Sequence, residues 1–293
     1  MKVKIWGARG SVPSPGPETT RYGGNTSCVQ VTLSDGTVIV LDAGTGIRSL
    51  GLALAGEVPH INLLLTHLHL DHIQGLMFFA PAFRPETEIE VWGPKSTEAS
   101  LQDRIARYIS APLSPVEMRE LPCEVAFRDA PVSEWAIGPA RVEAHSVSHR
   151  GPTLGYRITE GNQSLVYLPD HEPGLGASLA ELEPEWISGY NLACRASLLI
   201  HDCQYSDSEY GDHVGWGHSR LTDALTFARR VEAKRLMLFH HDPKHSDDYL
   251  DAFCGAALQR WGELGGAAEA LELAVERREL EVGPLGVASR ARV

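Results

Sequence analysis

The run Thr66-His67-Leu68-His69-Leu70-Asp71-His72 sets three imidazoles and a carboxylate within six consecutive positions of a 293-residue chain. A turn following a strand can aim His67 and His69 at one cation and Asp71 and His72 at a neighbour. Nitrogen and carboxylate donors of this kind suit zinc, and also manganese or iron. Apolar Leu63-Leu64-Leu65 precedes the run and residues 73–79 follow it with helical spacing, so the donors stand at a strand end. Two adjacent divalent cations would activate a water and neutralise charge building on the group attacked, which is hydrolytic chemistry.

Five apolar stretches end in the same residue types: Leu63 to His67, Val142 to His145, Val166 to Asp170, Leu199 to Asp202 and Leu238 to His240. In layered α/β folds ligands bind outside the carboxyl ends of strands, so residues scattered along the chain can converge on one polar rim. Strands are expected at residues 2–6, 28–33, 37–41, 61–65, 88–92, 140–144, 153–158, 164–168, 197–200 and 235–239, with a hairpin turn at Ser34-Asp35-Gly36. Helical spacing marks residues 97–109, 219–231 and 247–264. Strands first, then strands mixed with helices, imply an α/β fold in which helices cover sheets.

Composition narrows the function classes. With 43% hydrophobic residues and no internal repeat, residues 1–282 are expected to form one domain and residues 283–293 a mobile tail. A net charge of −12 without a run of Lys or Arg argues against a long nucleic acid as partner. Residues 1–10 lack the apolar stretch of a signal peptide or membrane span, which points to the cytoplasm and to no membrane partner. Five scattered cysteines suggest neither a disulfide framework nor a cysteine zinc site.

The His-x-His-x-Asp-His run resembles the signature of the metallo-β-lactamase superfamily, which implies an αββα four-layer sandwich with two metal ions at one edge of its sheets. Leu41-Asp42-Ala43-Gly44-Thr45-Gly46 resembles that family's strand ending in Asp and glycines. It implies that Asp42 steadies the metal loop by hydrogen bonds, the alternative being a turn cap. The resemblance also implies a third histidine for the first metal, taken as His149 with His145 as competitor. It further implies Asp170 as bridging carboxylate and His240 as last ligand, with His241 adjacent. Such a pair, less the charges of Asp71, Asp170 and a bridging hydroxide, leaves about one positive charge, which matches a phosphodiester.

His201-Asp202-Cys203-Gln204-Tyr205, Gly217-His218-Ser219 and His240 resemble, in order, ribonuclease Z and related phosphodiesterases. This implies His218 as general acid at the scissile phosphate, oriented by Asp202 where the family usually has glutamate. The structural alternative for His218 is a helix-start residue beside a capping Ser219. Only about twenty residues separate His149 from Asp170, too few for an inserted arm that grips tRNA. Residues 6–13 and 22–27 look like small bacterial phosphodiesterases near ribonuclease Z, some of which open cyclic nucleotides. Arg9, Ser11 and Asn25 either line the substrate pocket there, Arg9 as a phosphate fork, or form a purely structural loop.

The expected activity is therefore hydrolysis of a small phosphodiester, such as a cyclic nucleotide, by metal-bound hydroxide. Asp71, His218 and Asp202 would be catalytic, and His67, His69, Asp71, His72, His149, Asp170 and His240 would bind the metals, zinc first among them. A lactonase or thioesterase of the same fold and a non-catalytic metal-binding sensor are the alternatives. Relatives are often dimers, and apolar residues 76–85 would supply either a homodimer contact or core.

Overall fold

Alternating side chains in the central strands sort the interior into three apolar layers. The computed structural model describes residues 1–283 except 55, 57 and 132. The expected tail therefore lies outside the described residues, Gly283 excepted. In chain order the elements are β1 (Lys2–Gly7), β2 (Cys28–Thr32), β3 (Val38–Leu41), α1 (Gly46–Ala53), β4 (His60–Leu64), α2 (Leu70–Ile73), β5 (Glu88–Gly93), α3 (Leu101–Ala106) and β6 (Glu124–Asp129). There follow β7 (Glu134–Ile137), β8 (Ala140–Ser146), β9 (Leu154–Glu160), β10 (Gln163–Leu168), α4 (Tyr190–Ala193), β11 (Leu198–Asp202), α5 (Leu221–Arg230), β12 (Leu236–Phe239), α6 (Asp247–Glu263), β13 (Leu271–Leu273) and β14 (Glu279–Glu281).

Two seven-stranded sheets result, ordered β14-β1-β2-β3-β4-β5-β6 and β13-β12-β11-β10-β9-β8-β7. The period of two in a strand directs Ile39, Leu41, Leu165, Tyr167, Ile200 and Phe239 between the sheets. It directs Val38 and Val40 toward α1 and α3 on one outer side, and Val166, Leu199 and Leu238 toward α4, α5 and α6 on the other. Helices on both outer sides and two sheets between them make the four-layer αββα sandwich. Each fully buried aliphatic side chain contributes roughly 1.5–3 kcal/mol, and the three layers hold the strands in register.

That register positions the site. β3 runs parallel to β4, β10 to β11 and β11 to β12. β9 is antiparallel to both β8 and β10, so β8 points the same way as β10. The carboxyl ends of β3, β4, β8, β10, β11 and β12 thus lead to Asp42, His67 to His72, His149, Asp170, Asp202 and His240.

Some elements differ from the sequence reading. The helix expected at 97–109 is shorter, Leu101–Ala106, and it starts where the Ser100 hydroxyl caps it by accepting from Asp103 N at 3.1 Å. The end of the histidine run lies within a single helical turn, α2, which carries Asp71 and His72, and a 3-10 turn at Leu76–Phe78 follows, not a helix through residue 79. Residues 76–85 divide between core and surface: Phe79, Pro81 and Ala82 are buried, whereas Phe78 and Phe83 are 62% and 44% exposed.

Candidate metal centre

Histidines and carboxylates from six loops meet at the shared rim. One set, His67, His69, His149 and Asp170, has its donor atoms within 4.8 Å of one another, and so does a second set, Asp71, His72, Asp170 and His240. Asp170 belongs to both and turns one oxygen to each. Its Oδ2 lies 3.7 Å from His67 Nε2 and 3.6 Å from His149 Nε2. Its Oδ1 lies 3.0 Å from His72 Nε2 and 3.3 Å from His240 Nε2.

Hydrogen bonds on the far side of the rings fix that orientation. His72 Nδ1 donates to Asp42 Oδ2 at 2.8 Å, His149 Nδ1 to Gly217 O at 2.8 Å and His240 Nδ1 to Gln204 Oε1 at 3.0 Å. His67 Nδ1 meets the Thr66 hydroxyl at 3.0 Å, and that hydroxyl donates to Asp42. In each case Nε2 is left facing the cluster, the arrangement that readies a neutral imidazole for a cation. Asp42 is buried and also accepts from Thr66 N at 2.7 Å and from the Tyr167 hydroxyl at 3.1 Å, so it ties down the loop that carries the histidine run. Ser11 N donates to Asp71 Oδ2 at 2.9 Å and brings the amino-terminal loop against the cluster. Gly10 passes so close to the His240 ring that any Cβ would collide with it.

The donor set fits divalent cations. Buried His67 Nε2, His72 Nε2 and Asp170 Oδ1 have no hydrogen-bond partner among the described residues, a costly state unless they coordinate. Charge gives the same indication. Burial opposes a proton on His240, but Asp170, Asp71 and Asp202 outweigh it and raise the ring to about 9. Burial likewise opposes charge on His72, yet Asp170, Asp71 and Asp42 hold it well above the usual imidazole range. The carboxylates thus demand positive charge at the place where a metal would supply it.

Beside the second set, His218 Nδ1 donates to Asp202 Oδ2 at 2.7 Å. Asp202 is fully buried and also accepts from Gln204 N, Ser219 N and His171 N, at 3.0, 3.0 and 3.2 Å. His218 is therefore held as a side chain of the cluster's edge, with Nε2 left free of that bond, and its donor atom lies within 4.8 Å of those of Asp202 and His240.

Other sequence candidates fall elsewhere. His145 sits on the exposed face of β8, one residue out of phase with Ala144, while His149 in the following loop reaches the cluster. His201 shares the helix-side face of Leu199, packs its ring 4.8 Å from Phe227 and is pushed down to about 4 by burial. His241 Nε2 donates to Ala274 O at 2.8 Å, away from the cluster, and burial lowers it to about 3. Arg9 is wholly buried, and its guanidinium donates to the carbonyls of Gly23, Asp242 and His245. It braces the loop instead of reaching a phosphate. Asn25 donates its amide to Glu276 Oε2 at 3.0 Å. Gln204, which orients His240, was not singled out from sequence; only its place two residues past Asp202 hinted at it.

Comparison with known proteins places this geometry in a family. The model described as "Beta-lactamase superfamily domain" matches residues 37–241. Ribonuclease Z of Thermococcus gammatolerans is 28% identical over 259 residues, covering 73% of this chain and 78% of that protein. Among solved structures, the short form of human tRNase Z superposes with a TM-score of 0.67 at 22% identity, covering 97% of this chain and 100% of that one. A diphosphatase from the PhnP family superposes with a TM-score of 0.66 at 16% identity, covering 96% and 97%.

Proposed function

We propose, for a chain that belongs to the metallo-β-lactamase superfamily of hydrolases, that its paired donor sets bind two divalent cations and cleave a small phosphodiester. His67, His69, His149 and Asp170 hold one cation, and Asp71, His72, Asp170 and His240 the other. The observation that carries this reading is Asp170, whose two oxygens face different histidine pairs. A bridging carboxylate holds two cations at the short separation that two-metal hydrolysis needs. Zinc suits the nitrogen-rich sets, with manganese and iron as substitutes.

When bound, the cations supply an activated water and stabilise charge on the phosphoryl oxygens. The chain does the rest. Asp71, Asp170 and the imidazoles fix the reacting centre. Asp202 takes the His218 Nδ1–H bond, so Nε2 is the nitrogen that donates a proton to the leaving oxygen. Four donors converge on Asp202 and hold it for this orienting role.

Support for a diester comes from the His218–Asp202 pair and from relatives named ribonuclease Z and PhnP-family diphosphatase. Support for a small one, a 3′,5′- or 2′,3′-cyclic nucleotide, comes from the compact path between His149 and Asp170. It is occupied by the β9–β10 hairpin alone and offers no arm for tRNA. Net charge −12 adds to this.

The test is a panel of cyclic nucleotides, bis(p-nitrophenyl) phosphate and a tRNA precursor, each with chelator and with added zinc or manganese. Metal-dependent turnover of the small diesters is expected, and His218→Ala should lower kcat by about 10²- to 10⁴-fold with metal content unchanged. Turnover of the tRNA precursor alone would overturn the small-substrate reading. Hydrolysis of lactones or thioesters that survives His218→Ala would overturn the phosphodiester reading.

A further inference from the structure

Glu172 is 1% exposed and belongs to neither donor set. Three donors converge on its carboxylate: the Tyr210 hydroxyl at 2.6 Å and Gly215 N at 2.9 Å on Oε1, and Gly217 N at 2.8 Å on Oε2. Its own N–H donates to Ser148 O at 3.0 Å. The residue therefore grips both the residue before His149 and the turn whose Gly217 carbonyl receives His149 Nδ1. A buried carboxylate is costly unless hydrogen bonds satisfy it, and these donors need an acceptor on each oxygen, which an amide cannot provide. Gly217 adopts φ +92°, and a Cβ there would collide with the His149 ring, so the turn is shaped to that imidazole. His218 follows directly.

We propose that Glu172 is a positioning residue that brackets His149 and fixes its ring with Nε2 toward Asp170, setting the affinity of the first cation without touching it. Asp42 and Gln204 bond His72 and His240 of the second set directly, Asp42 also holding the Thr66 hydroxyl beside His67; Glu172 acts one step further out, through backbone. Its effect is consequently confined to the set containing His149. A residue that merely stabilised the fold would weaken both sets alike.

This rests on the reading of His149 as a metal ligand. The experiment titrates metal-free protein with zinc against a chromogenic chelator, resolving two binding steps, and assigns each step with His149→Ala and His240→Ala. In Glu172→Ala the His149 step should weaken about 10- to 100-fold while the other stays within about twofold. A second readout needs no metal: the ring N–H of His149, hydrogen-bonded to Gly217 O, should give a slowly exchanging imidazole proton signal that is lost in Glu172→Ala. If that variant does not fold, Glu172→Gln keeps the volume, sets an amide against a donor and is read by the same two measures. Equal weakening of both steps, no weakening, or an unchanged imidazole signal would overturn the proposal. A wild-type protein that binds no zinc would sink the ligand reading instead, and the imidazole signal would still decide on Glu172.

Discussion

The two donor sets share Asp170 and differ in their surroundings. Asp71, His72, Asp170 and His240 are all buried, and their outer bonds run to the side chains of Asp42 and Gln204 on the sheet framework. In the other set His69 is exposed, and the His149 ring, itself only 1% exposed, leans on the carbonyl of a surface turn. Side chains locked by packing hold a geometry more firmly than a turn does, so the buried set is the rigid anchor and the other the open set. His69 Nδ1 lies 3.3 Å from His149 Nε2.

Three substitutions sharpen or break that contrast. Asp170→Ala removes the one carboxylate common to both sets and should abolish metal binding at each; the lost electrostatic stabilisation lowers activity by about 10³-fold or more. Retention of either binding step would show that the sets are not joined through Asp170. Gln204→Leu removes the acceptor of His240 Nδ1, and zinc binding at the set of His240 should weaken about 10- to 100-fold with the His149 step unchanged. Equal weakening would erase the distinction between anchor and open set. The smallest effect belongs to His145→Ala: exposed on β8, it should leave both steps and activity unaltered and shift stability by no more than about 0.5 kcal/mol.

Local chemistry was legible in the sequence and long-range chemistry only in part. The His67–His72 run reads directly because its donors are contiguous, and Asp170 and His240 stand at the ends of apolar strands. The same strand-end pattern also drew in His145 and His201, which the alternation of a strand turns to the opposite face from Ala144 and Asp202. The edge strands β6, β7, β13 and β14 and helix α1 went unread. β13 and β14 are three residues each, and β6 and β7 carry half-exposed, mixed side chains whose pairing comes from a neighbour, not from their own pattern. Glu172 and Gln204 were invisible for a related reason: the donors to Glu172 lie 38 to 45 positions away and His240 lies 36 from Gln204, and they include backbone groups that carry no sequence signal.

The most direct measurement is anomalous diffraction from zinc-soaked crystals at the metal's absorption edge. The account predicts two peaks, each about 2.0–2.2 Å from its donors, one ringed by His67, His69, His149 and Asp170 and the other by Asp71, His72, Asp170 and His240. A single peak, or two peaks that do not share Asp170, would contradict it.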